Sequence, residues 1–132
     1  MPRKPPTVAI ASSFSCEPIR RWLSFWLGEI GLSAELRFAG YGQLMHELSS
    51  PAAYRGAAAC VGLLCFADWQ RLASPSAGFD AERFESDLEL LCNGITAALP
   101  ALSGRMLLIL CPARPAGAGE ERVAAFSAAT TR

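Results

Sequence analysis

The turn Ser12-Ser13-Phe14-Ser15 sets hydroxyl groups where an apolar run ends and a helical pattern begins. An α/β fold presents a serine nucleophile, or cradles a phosphate on helix N–H groups, from that position. A serine acts as a nucleophile only if a base takes its proton, and the chain has a single histidine, His46. His46 falls in the second helical segment rather than in a late loop facing the first strand, so no Ser-His-Asp order known for this layout is satisfied. The expected role of these serines is to cap the helix and satisfy backbone groups at the turn. No catalytic residue is assigned, and Ser13 and Ser15 are kept as the alternative nucleophiles.

His46 reads as a surface or half-buried helical residue, because no second histidine or well-spaced cysteine completes a metal shell around it. Asp68-Trp69 directly follows the third apolar run. It either leans toward the same crevice, the carboxylate accepting and the indole forming a wall, or forms a turn or cap with Trp69 covering the core. A receiver domain needs acidic residues just after the first strand to hold magnesium, and Ser12 and Ser13 stand there instead. Neither a G-x-G-x-x-G nor a P-loop pattern occurs, and the first turn has no glycine with which to wrap a flavin phosphate, so no cofactor and no metal are expected. The five cysteines (Cys16, Cys60, Cys65, Cys92, Cys111) include no C-x-x-C pair, and all lie in or beside apolar segments. They are expected to be buried free thiols.

The elements that must position these groups follow from periodicity. Thr7–Ala11 is a short apolar run that predicts a buried strand. Over Cys16–Ile30 the residues Ile19, Trp22, Leu23, Trp26, Leu27 and Ile30 recur at spacings of three and four. This predicts a helix with one buried face, capped by Ser15, with Pro18 in its first turn and Gly31 at its end. Ala34–Ala39 alternates, with Glu35 and Arg37 on one side and Leu36 and Phe38 on the other, which predicts an edge strand. A short helix over Tyr41–Ser49 and a central strand over Ala57–Phe66 follow.

Ser74–Gly78 predicts a loop, after which Asp80 can cap a long helix whose stripe is Phe84, Leu88, Leu91, Cys92, Ile95 and Leu99. Arg105–Cys111 is the last predicted strand, stopped by Pro112, and Gly117–Thr131 a weak terminal helix anchored by Val123 and Phe126. Strands alternating with helices predict an α/β three-layer sandwich of flavodoxin-like or SGNH-like layout. Its parallel sheet has the order 2-1-3-4 with helices on both faces, and a ligand crevice lies beyond the ends of the first and third strands.

The chain has 132 residues, of which 52% are hydrophobic and 18% charged, enough for one domain with a buried core. Residues 1–6 read as a disordered leader, and 7–132 as a single α/β domain excised from a longer multidomain protein. Lysine plus arginine and aspartate plus glutamate each total 12, so no field of one sign draws the chain to nucleic acid or to an anionic membrane. No apolar run approaches the roughly 20 residues of a membrane span, and the first residues lack a secretory pattern, so the expected location is the cytoplasm.

The stretches Val8–Ile19, Leu23–Leu32, Ala39–Leu44 and Ala67–Trp69 resemble the N-terminal SGNH-like domain of FkbH-like proteins, copies of which occur within nonribosomal peptide and polyketide synthetases. The resemblance covers about residues 7–112 and is strongest in the F-[ST]-x-E-P turn linked to the Y-G-Q helix start; Gly40 stands where the family has proline. It implies that Ser13, Phe14, Ser15, Tyr41, Gln43 and Asp68 surround the crevice, with Trp69 beside them as a ligand or partner contact. The haloacid-dehalogenase-type domain that loads a three-carbon unit in that family has no counterpart here, nor does the late Asp-x-x-His block of SGNH hydrolases. The implied function is a noncatalytic accessory domain that contacts a carrier protein or an adjacent synthetase domain, with exposed Trp22, Phe25 or Trp69 as the natural contact. The alternative is an SGNH-type ester or thioester hydrolase using a serine of the first turn.

Overall fold

The computed structural model describes residues 4–50, 52, 56–73, 80–102 and 105–112. Its elements are β1 (Thr7–Ser12), α1 (Arg20–Glu29), β2 (Glu35–Phe38), α2 (Leu44–Ser49), β3 (Ala57–Leu64), α3 (Phe66–Ala73), α4 (Ala81–Ala98) and β4 (Met106–Leu110). The four strands form one parallel sheet in the order β2-β1-β3-β4, as the alternation of strand and helix patterns requires.

The two sheet faces carry different helices. Ala9 and Ala11 of β1 and Cys60 and Leu64 of β3 point into a core closed by Leu44 and Leu48 of α2, Phe66 and Trp69 of α3, and Phe84, Leu91 and Ala98 of α4. Gly62 is required in the middle of β3 because a Cβ there would meet Leu108 Cδ1 at 2.8 Å and both Leu48 δ-carbons at 3.3 Å. The other face holds Ile10, Leu36 and Cys16, with Val8, Phe38, Val61 and Leu63 half-buried under Leu23 and Leu27 of α1. Arg20 ties the start of α1 to the β2 edge. Its guanidinium donates to the Leu36 carbonyl at 2.7 Å, pairs with Glu17 at 3.3 Å and lies 4.5 Å from the centre of the Phe38 ring.

Several expectations are corrected. The helix does not begin at Ser15; a 3-10 turn, Glu17–Ile19, precedes α1, whose N-cap is Ile19 with no side-chain cap. Of the predicted stripe on α1, Leu23 and Leu27 turn toward the sheet while Trp22, Trp26 and Ile30 are exposed. The six residues fall within about 140° of the helix circumference, the width of a single stripe, and the sheet covers only the side of that stripe that carries Leu23 and Leu27. On α4, Asp80 caps as expected by accepting from the Arg83 N–H at 3.1 Å, but Leu99 and Cys92 are exposed. Among the cysteines Cys16, Cys60 and Cys65 are buried, whereas Cys111 is half-buried. The helix α3, absent from the predicted elements, carries Asp68 and Trp69. The terminal helix expected over 117–131 lies outside the described residues, as does the loop at 74–78.

Candidate functional site

β1 delivers Ser12 and Ser13 to the C-terminal edge of the sheet on opposite faces, since side chains alternate along a strand. Ser13 is 1% exposed and its hydroxyl is occupied: it donates to the Cys65 carbonyl at 3.1 Å and accepts from the Cys65 N–H at 2.8 Å. The Ser13 N–H also donates to the Leu63 carbonyl at 3.0 Å. Ser13 thus clasps the ends of β1 and β3 together where the crevice was expected, and closes that switch point. The Ser12 hydroxyl is spent locally, donating to the Phe14 carbonyl and accepting from the Phe14 N–H at 3.0 Å.

The opening lies one strand over, between the ends of β1 and β2. It is lined by Ser12, Phe14, Ser15, Glu17, Phe38 and Tyr41, among others, with a volume of about 90 Å³. That is room for about three water molecules at ~30 Å³ each, well below the ~300–1,000 Å³ of ordinary small-molecule pockets. The structure brings Phe14, Ser15 and Tyr41 to this cleft, with Ser15 and Tyr41 exposed. Gln43 is exposed at the N-cap of α2 and makes no side-chain cap bond. Asp68 sits in the first turn of α3, half-buried. Trp69 is 7% exposed and stacks among Phe66 and Phe84, both at 6.2 Å between ring centres, so its indole serves the core.

His46 is exposed on α2, and no hydrogen bond joins it to Ser12, Ser13 or Ser15 among the described residues. The first-turn hydroxyls that are buried act as backbone partners, and the cleft as it stands is suited to a small polar group or the tip of a side chain rather than to an acyl chain.

A second surface lies on α1. Trp22 is 66% exposed, Phe25 53% and Trp26 61%, with Phe25 and Trp26 in edge-to-face contact at 5.4 Å. Ile30 and Leu32 are also exposed, and the ridge runs toward an open hollow of about 350 Å³ lined by Leu27, Gly28, Gly31 and Leu32 with Ser24 and Ser33. The residue pattern offers Trp22 and Phe25 as contacts, yet it puts Trp22, Trp26 and Ile30 alike on the buried stripe. Their spacing is that of a single apolar face, so no local signal set them apart from Leu23 and Leu27. No family model matches the chain, and no curated protein matches its sequence.

Proposed function

We propose that this chain is a noncatalytic interaction domain of a nonribosomal peptide or polyketide synthetase, of the FkbH-like N-terminal type. It docks a carrier protein or a neighbouring synthetase domain through α1. The observation that carries the reading is the ridge of Trp22, Phe25 and Trp26, three large aromatic groups that the fold leaves in water. Aromatic side chains dominate interface energetics, and a contiguous exposed cluster is where a partner gains most by excluding water. The biosynthetic setting comes from the resemblance of the F-[ST]-x-E-P turn and the Y-G-Q helix start. The occupied hydroxyls of Ser12 and Ser13 favour docking over serine chemistry.

The test is association of the purified chain with carrier proteins and flanking synthetase domains, measured by calorimetry and crosslinking. Replacing Trp22, Phe25 and Trp26 together by serine is expected to weaken binding at least 100-fold, a loss of roughly 2.7 kcal/mol. Unchanged affinity overturns the reading, and so does serine-dependent turnover of activated short-chain esters with labelling by a fluorophosphonate.

A further inference from the structure

β3 and β4 run parallel with Leu64 opposite Leu110 as their last register pair, and Cys65 and Cys111 are the residues that directly follow the two strands. The Cys111 N–H donates to the Leu64 carbonyl at 2.8 Å, which holds the two strand ends in step through this position. The Cys65 thiol reaches across to the other strand end, its Sγ lying 3.9 Å from the Pro112 carbonyl. Adjacent strands lie about 4.8 Å apart, inside the ~4.4–6.8 Å Cα separation that a disulfide spans. Both thiols are free, Cys65 buried and Cys111 half-buried.

The remaining cysteines have no such neighbour in the register. Cys60 pairs with Met106 and points into the core beside Leu44 and Leu48; Cys16 lies in the cluster under α1; Cys92 is exposed on α4.

We propose that Cys65 and Cys111 form a dithiol modification site whose co-reactant is a low-molecular-weight disulfide such as oxidised glutathione. The half-buried Cys111 thiolate attacks one sulfur of the co-reactant, its S–S bond breaks, and one glutathione leaves as thiolate. The Cys65 thiolate then attacks the Cys111 sulfur of the mixed disulfide, and the second glutathione leaves. Two protein thiols are oxidised to one disulfide, one glutathione disulfide is reduced to two thiols, and the two protons lost by the cysteines pass to the leaving groups. The link fastens the end of β4 to the residue just before α3, at the backbone group Ser13 already clasps.

Burial, and secondarily the neighbouring Cys65, push the Cys111 thiol above its ordinary value. The thiolate is the attacking species, so the reaction is slow at neutral pH and accelerates about tenfold per pH unit until the raised value is reached.

The test is intact mass and peptide mapping of the full chain after exposure to oxidised glutathione across pH 7–9. The expected product has lost two hydrogens and links the peptide containing Cys65 to that containing Cys111. It melts higher than the reduced chain by on the order of 10 °C, and dithiothreitol reverses the shift. Cys111→Ser abolishes the link, whereas Cys60→Ser and Cys92→Ser leave it intact; fragmentation of the linked peptide separates Cys60 from Cys65 without relying on a Cys65 variant. A link through Cys60 or Cys92, or no link at a glutathione disulfide concentration that fully modifies Cys92, overturns the proposal.

Discussion

The two faces of the sheet are built from similar residues but are finished differently. On one, α2, α3 and α4 close over alanines, Cys60 and Leu64, and the packing is tight enough that Gly62 and Gly94 have no space for a methyl group. On the other, among the described residues, α1 alone lies over β1 and β2, and the outward side of that helix is as aromatic as a core. At the β4 edge both faces are open: Leu107 and Ile109 are exposed on the α1 side, and Leu108, opposite Gly62, and Leu110 on the other. One sheet thus supplies both an interior that resists change and a surface with unused apolar area. Exposed apolar residues so concentrated are unlike the scattered ones any protein carries, and the proposed docking rests on that difference.

Substitutions matched across the two faces put this contrast at risk, and the largest difference is expected from truncation. Leu91→Ala removes a side chain that is 1% exposed and should cost about 2–5 kcal/mol in chemical denaturation. Trp26→Ala, the loss of a larger group on α1, should change stability by no more than about 0.5 kcal/mol. Equal losses would mean that the α1 ridge is packed.

The helical glycines give a sharper and smaller signal with opposite signs. A Cβ on Gly94 would meet the Ser49 hydroxyl and lie 2.7 Å from Ser49 Cβ, so Gly94→Ala should destabilise by about 1–3 kcal/mol. A Cβ on Gly28 meets nothing within 4 Å, so Gly28→Ala should stabilise by about 0.5–1 kcal/mol through helix propensity. Thermal melts of the two variants suffice, and melting shifts of the same sign would erase the contrast.

The smallest expected effect concerns the paired serines at the end of β1. Ser13→Ala strands the buried N–H of Cys65, whose carbonyl keeps the Trp69 N–H at 2.9 Å, and should cost on the order of 1–2 kcal/mol. The bonds of Ser12 stay within its own turn, so Ser12→Ala should cost about half as much. Amide exchange at Cys65 should accelerate only in the Ser13 variant, and protection retained there would show that the clasp is not what closes the β1–β3 end.

Much of the fold was legible because periodicity is local. The alternation of Glu35, Leu36, Arg37 and Phe38 marked an edge strand, and Asp80 before a stripe of Phe84, Leu88 and Leu91 marked a capped helix. The helix α3 was not legible, since Phe66–Ala73 directly continues the apolar run of β3 and no cap residue or glycine separates the two. The site was read less well than the fold. Phe14, Ser15 and Tyr41 do meet at a cleft, which opens toward β2, while Ser13 satisfies backbone groups and Trp69 covers the core, the non-ligand reading of each.

The order of apolar and polar residues by itself determined the strands, most of the helices and, through the handedness of parallel connections, the strand order. Tertiary structure alone decided which of the apolar residues on α1 face the sheet, that the Ser13 hydroxyl spends itself on a residue 52 positions away, and that the Cys111 N–H meets the carbonyl of Leu64, the residue before Cys65. The reason is one of range. A helix or strand pattern repeats within a few residues and can be read one segment at a time, whereas a hydrogen bond or thiol neighbour between strands exists only once their register is set by the packing of the whole sheet.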